Sequence, residues 1–227
     1  MLTHHHPEAA LSGQVTDVAL FQLPLGTPLS IASLGPEGTS SEQASRALLG
    51  HLGQRGHEHV RIDLFDQYEA AGASLLSGDS SLVVVANAYA RIEQFYMNPA
   101  LRLAAVFVKD TPNYGIAGLP GSDRDAKVAV ATHPAPRALV EELLPAEYTL
   151  TETVFVDSTS AAAEAVVAGE VPLALTTMPA ARLRGLEFVS RTRPIRMVWS
   201  VFTRAELLDD RRLAPGRLLA NTANPSW

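Results

Sequence analysis

The chain of 227 residues contains no cysteine. That excludes a disulfide framework, a thiolate metal site and a cysteine nucleophile. No apolar run approaches the roughly 18–20 residues needed to cross a bilayer. There is no basic surplus either: 18 Lys plus Arg stand against 24 Asp plus Glu, a net charge of −6, which argues against nucleic acid or an anionic membrane as partner. The opening stretch MLTHHHPEAALSG lacks a basic region followed by an apolar one, so it does not read as a secretory signal, and a cytoplasmic location is expected. No internal repeat or low-complexity tract stands out. With 47% apolar residues, the chain can bury the core of one large domain or two small lobes.

The most informative stretch is GPEGTSSEQAS, Gly35 to Ser45. The apolar run Leu29 to Leu34 leads into a glycine turn, three hydroxyl residues (Thr39, Ser40, Ser41) and a helical pattern. This reads as strand, turn, helix start. The unpaired N–H groups of a helix N-terminus, at the positive end of its dipole, suit an anion, here contributed by Gly38, Thr39, Ser40 and Ser41. Thr39 followed by Glu42 fits a capping box. No Gly-Lys-Ser/Thr is present, so a small carboxylate fits better than an ATP phosphate. An ordinary capped helix would carry the same local pattern.

Strand and helix patterns alternate along the chain, which predicts an α/β protein with mostly parallel sheets. Strands are expected at 29–34, 60–64, 82–85, 101–109, 114–119, 127–131, 149–156, 173–176, 188–190 and 197–203. Helices are expected at 41–52, 67–76, 92–97, 136–144, 160–168 and 179–183. Residues 1–27 read as a variable lead-in, with Val15 to Leu25 able to add a strand or arm. Residues 28–110 plus 190–204 are expected to form one lobe and 111–189 a second. Residues 205–227 read as a partly disordered tail.

Three further segments carry candidate chemistry. DSTSAAAEA, from Asp157, follows a strand and opens a helix with Ser158, Thr159 and Ser160, a second anion site or simply a capped helix. ANAYAR leaves the buried strand 82–85, so Asn87, Tyr89 and Arg91 should lie near its carboxyl end. Arg91 can pair bidentately with a carboxylate there, while Asn87 and Tyr89 offer neutral hydrogen bonds. Phe95 and Tyr96 are the packing type of aromatic. His133, after strand 127–131, is the one histidine expected beside a cleft, where it could titrate or simply fix a loop. His4, His5, His6, His51, His57 and His59 fall on segments expected at the surface, and no metal site is read.

The glycine stretch resembles the GPxGTF signature of prephenate dehydratases, and more closely the GPEGTSSE of their non-aromatising relatives, the prephenate decarboxylases of bacilysin-type pathways. The run FYM with a proline two residues on, DTPNYG from Asp110 to Gly115 with its Tyr114, and Ser158-Thr159-Ser160 look like decarboxylase signatures too. The dehydratases carry Thr-Arg-Phe on a late strand. Here Trp199 and Ser200 stand in its place, and the decarboxylases also show Trp-Ser. Where that family often has Pro-His-Ala-Tyr, this chain has Ala86-Asn87-Ala88-Tyr89. Asparagine cannot titrate near neutral pH but can orient a water or a carboxylate.

The resemblance implies a two-lobed fold like the type II periplasmic binding proteins, with the ligand between lobes and no regulatory ACT domain. It implies prephenate, a dicarboxylate, as the small-molecule substrate and non-aromatising decarboxylation as the reaction. No cofactor is implied, because the ring accepts the electrons. Asn87, Tyr89 and His133 become candidates for proton delivery. Gly38, Thr39, Ser40, Ser41, Arg91, Tyr114, Ser158, Thr159, Ser160, Trp199 and Ser200 become candidates for substrate binding. The product would feed an antibiotic-type specialised metabolite, and a homodimer is compatible. Two other readings stay open: an aromatising dehydratase, and a non-catalytic binding protein of the same fold.

Overall fold

The computed structural model describes residues 16–17, 23, 25–121 and 126–209. The rest of the expected lead-in, and residues 210–227 of the expected tail, lie outside the described residues.

The first sheet has six strands in the order β1-β5-β11-β4-β2-β3. These are β1 (Thr16–Asp17), β2 (Leu29–Leu34), β3 (Val60–Phe65), β4 (Leu82–Ala86), β5 (Leu101–Asp110) and β11 (Arg196–Arg204). The second has five, β10-β6-β9-β7-β8. These are β6 (Tyr114–Gly118), β7 (Lys127–Thr132), β8 (Thr149–Phe155), β9 (Leu173–Thr177) and β10 (Glu187–Phe188). The extra N-terminal strand is a two-residue one, β1, antiparallel to β5.

Both sheets are mixed, which corrects the expectation of mostly parallel ones. β2 runs parallel to β3 and β4, and β7 parallel to β8 and β9. β11, however, returns from the second sheet and inserts antiparallel between β5 and β4. A late strand arriving from the other lobe enters against the direction set by the earlier crossovers. The two connecting segments pair with each other: the N–H of Tyr114 reaches the carbonyl of Arg193 at 2.8 Å, and that of Thr111 the carbonyl of Ile195 at 2.9 Å.

Alternation across each strand fills two faces of each sheet. In β4, Val84 faces α1 (Ser40–Gln54) with Leu48 and Leu52. Val83 and Val85 face α2 (Tyr68–Ser77) with Ala71 and Leu75. In the second sheet, small residues let α5 (Thr159–Val167) lie close: Ala162, Ala163 and Ala174 share one cluster. α4 (Ala138–Leu143) covers the opposite face with Val140 and Leu143. The remaining helices are short: α3 (Glu93–Tyr96), α6 (Met178–Leu183) and α7 (Glu206–Asp209), the last a helical turn where the tail was expected to begin.

One histidine expected at the surface is not there. His57 is 5% exposed, packed where its N–H closes back onto the carbonyl of Leu52 at the end of α1.

Candidate active site

A cavity of about 350 Å³ opens where the carboxyl ends of β2, β3, β4, β7 and β8 converge between the two sheets. Ligands of α/β folds sit at such strand ends, where helix starts gather. Three helix starts line it.

The start of α1 contributes Thr39, Ser40 and Ser41. Thr39 caps the helix, its Oγ1 accepting from the N–H of Glu42 at 3.2 Å. The Glu42 carboxylate turns back to the N–H of Gly38 at 2.7 Å, so part of the expected anion site is filled by the chain's own carboxylate. Ser40 and Ser41 bond tyrosines: Ser40 Oγ lies 2.9 Å from Tyr114 OH, and Ser41 Oγ 2.7 Å from Tyr68 OH.

The start of α5 contributes Ser158 and Thr159. Ser158 Oγ accepts from the N–H of Ala161 at 3.0 Å, a regular N-cap. The start of α2 was not expected at the site. It brings Tyr68 and Glu69, preceded by Asp66 and Gln67. Its signal was available: a strand followed directly by a helix, as at Gly35 and Asp157, but without glycine or hydroxyl residues to mark it.

Tyr89 and Arg91, on the turn after β4, complete this wall. Oε1 of Glu69 accepts from the hydroxyl of Tyr89 and pairs with Nη2 of Arg91. Burial acts to raise the carboxyl of Glu69, but the hydrogen bond from Tyr89 and the charge of Arg91 hold it below the usual carboxylate range. Burial, reinforced by the Glu69 carboxylate, pushes Tyr89 up. Burial drives the Tyr68 hydroxyl up to about 12 and raises Tyr114 as well. Burial lowers His133, with the negative charge of Asp157 opposing. His133 lines the cavity, and its Nδ1 accepts from the N–H of Ala135 at 3.2 Å.

Phe155, Met197 and Trp199 form an apolar side. Trp199 is 1% exposed and its indole N–H donates to the carbonyl of Lys109 at 3.1 Å. Ser200, the next residue on β11, points to the opposite face, as strand alternation requires. It is fully buried, donates to Oδ1 of Asn87 at 2.7 Å and lies 2.7 Å from Tyr96 OH. Ser200 and Asn87 therefore stand outside the cavity lining and bond each other.

Gly38 and Ser160 also stand outside the lining, because they join the lobes. Gly38 has φ +90°, and a Cβ there would lie 3.0 Å from Cα of Ala180 in α6. Thr177 Oγ1 donates to its carbonyl at 2.8 Å, and Ser160 Oγ donates to the carbonyl of Glu37 at 2.9 Å. Both bonds cross from the second sheet's elements to the glycine turn. Of the expected residues, the cavity thus brings together Thr39, Ser40, Ser41, Tyr89, Arg91, Tyr114, His133, Ser158, Thr159 and Trp199. Among the described residues, no group of three or more His, Asp or Glu could hold a metal ion.

This is a two-lobed α/β fold with a cavity between the lobes. It is similar to prephenate dehydratase of Arthrobacter aurescens, solved with L-Phe, at TM-score 0.57 and 18% identity over 78% of this chain and 60% of that one. A pheromone cOB1 precursor/lipoprotein of the YaeC family from Enterococcus faecalis shares the fold at TM-score 0.50 and 10% identity, over 81% of this chain and 88% of that one.

Sequence narrows the class. The chain is 35% identical to prephenate decarboxylase of Bacillus subtilis over 80% of its own length and 90% of that protein's. It is 38% identical to prephenate decarboxylase of Planktothrix agardhii, over 77% and 87%. A prephenate dehydratase of Mycolicibacterium vanbaalenii is 31% identical over 69% of this chain and 54% of that protein. The chain belongs to the prephenate decarboxylase family. No protein-family model matches it.

Proposed function

We propose that this protein decarboxylates prephenate without aromatising it, giving a dihydro-4-hydroxyphenylpyruvate isomer. Family membership supplies the substrate. One observation in the cavity carries the non-aromatising outcome: Trp199 lines it with its indole N–H committed to the carbonyl of Lys109, and Ser200 is turned to the opposite face, so neither offers the ring hydroxyl a proton. The titratable side chains of the lining are weak proton donors at neutral pH. Tyr68, Tyr89 and Tyr114 are raised, Glu69 is lowered into its ionised form, and His133 is lowered into its neutral form.

In the reaction, Arg91 and the hydroxyl-rich starts of α1 and α5 receive the carboxylates of the substrate. The ring lies against Trp199, Met197 and Phe155. The bond from the quaternary ring carbon to its carboxylate breaks, carbon dioxide leaves, and the electron pair spreads over the cyclohexadiene. Two fates then compete. Expelling the ring hydroxyl requires a proton on a poor leaving group. Protonating carbon satisfies a strong base, and a weak donor is enough for that. A cavity of raised tyrosines and a neutral imidazole favours the second, and the alcohol is kept. Tyr89 and His133, which both line the cavity, are the candidate donors in this reading. Trp199 stands where the dehydratases carry threonine and presents a committed indole instead of a hydroxyl.

The reaction needs no cofactor in this reading. The protein works in the cytoplasm on a small dianion, as a monomer or homodimer, without nucleic acid or membrane as partner. Its product feeds a specialised, antibiotic-type metabolite through a non-aromatic amino acid. The net charge of −6 supports the exclusion of polyanionic partners. Among the described residues, no helix is long and apolar enough to cross a membrane.

The test is carbon dioxide release from prephenate by the purified protein with nothing else added. Release above the spontaneous rate is expected. Tight binding of prephenate with no release would favour a binding protein.

A further inference from the structure

Glu69 belongs to no motif in the sequence, yet its carboxylate sits between two groups of the proposed site. Its Oε1 takes both the hydroxyl of Tyr89 and the guanidinium of Arg91. Tyr89 is itself braced. Its ring lies 4.7 Å from that of Tyr68, tilted by 50°. Tyr68 is buried, with its hydroxyl bonded to Ser41 and to the N–H of Ala86. A continuous series therefore runs from the buried start of α2 through Tyr68, Tyr89 and Glu69 to Arg91.

Arg91 is where that series matters. Among the described residues it is the one arginine lining the cavity, and no lysine lines it. Its side chain is 59% exposed, on a turn, so little packing fixes its rotamers. A long side chain that is ordered only when ligand arrives loses affinity to that ordering. A guanidinium has five donors in a planar fork, so one carboxylate can hold part of it while the rest meets a second carboxylate.

We propose that Glu69 is a positioning residue, which holds the Arg91 guanidinium at the cavity wall so that it meets the substrate carboxylate already in place. The proposal rests on the decarboxylase reading above.

A double-mutant cycle on prephenate turnover tests it, with wild type, Glu69→Gln, Arg91→Ala and the double variant. Glu69→Gln keeps the shape and removes the charge. Losing a charge-assisted bond to Arg91 raises KM about tenfold. In the Arg91→Ala background the same substitution changes KM by less than about twofold, because its effect runs through the arginine. A merely structural glutamate would give effects that multiply across the cycle. That result, or an unchanged KM in Glu69→Gln, overturns the proposal while the decarboxylase reading stands. Absence of turnover by the wild type overturns that reading and the proposal with it.

Discussion

The hydroxyl of Thr177 donates to the carbonyl of Gly38 at 2.8 Å, tying the end of β9 in the second sheet to the turn that opens α1 in the first. A glycine of the most informative stretch in the sequence therefore works at the junction of the lobes. Ser160 adds a parallel bond to Glu37, and the Ser40–Tyr114 pair adds a third. The cavity is shaped by how these contacts seat one lobe on the other.

Gly38→Ala tests that seating. The position has φ +90°, and a Cβ there would stand 3.0 Å from Cα and 3.1 Å from N of Ala180. A left-handed non-glycine residue costs roughly 1–2 kcal/mol before any clash. The backbone of α6 cannot move aside as a flexible side chain would. Thermal unfolding should shift down by several degrees, and kcat/KM should fall with it. A variant with the melting temperature and activity of the wild type would contradict the seating.

Ser160→Ala removes one bond across the junction and leaves the N-cap of α5, Ser158, intact. A loss of about 1 kcal/mol is expected in denaturant unfolding. Ser158→Ala should cost a similar amount, about 1 kcal/mol, through the cap. KM separates them: it should move more in Ser158→Ala, because Ser158 lines the cavity and Ser160 does not. Equal KM values in the two variants would contradict that.

Arg91→Ala should weaken prephenate binding most. Losing a charged hydrogen-bond donor costs about 1.5–3 kcal/mol, or roughly ten- to a hundredfold in affinity. An affinity within twofold of wild type, read by calorimetry, would remove Arg91 from the site.

Acid should impair the protein on two counts. His133 has its folded pKa lowered by burial, so the unfolded chain binds a proton more readily; stability falls as pH drops below the ordinary value of 6.5 and the loss is complete below the folded pKa. Glu69 is lowered from 4.5, so its contribution is present above that pH and lost as pH falls through the folded value. Unfolding measured against pH should show the first decline below about 6.5, and His133→Gln should remove it. Persistence of that decline in the variant would assign it elsewhere.

Much of this was legible because local rules were obeyed. The apolar runs at Leu29 and Leu82 and the cap at Thr39 announced β2, β4 and α1, and strand carboxyl ends told where to look for the cavity. What stayed hidden depended on long-range contact. β11 reads as an ordinary strand, and nothing local says that it runs antiparallel between β4 and β5. Ser200 looks like a partner of Trp199 in sequence, but alternation sends it to Asn87 and Tyr96. Glu69 is the one charged residue on helix α2 until the turn after β4 brings Tyr89 and Arg91 to it.

The central claim is that the ring keeps its alcohol. The most direct measurement is the proton NMR spectrum of the product as prephenate is consumed by the wild-type protein near neutral pH. The account predicts two ring alkenes and a retained carbinol proton, with carbon dioxide released in equal amount. Aromatic signals of phenylpyruvate as the enzymatic product would contradict it, and would mean that an acid in this cavity reaches the hydroxyl despite Trp199.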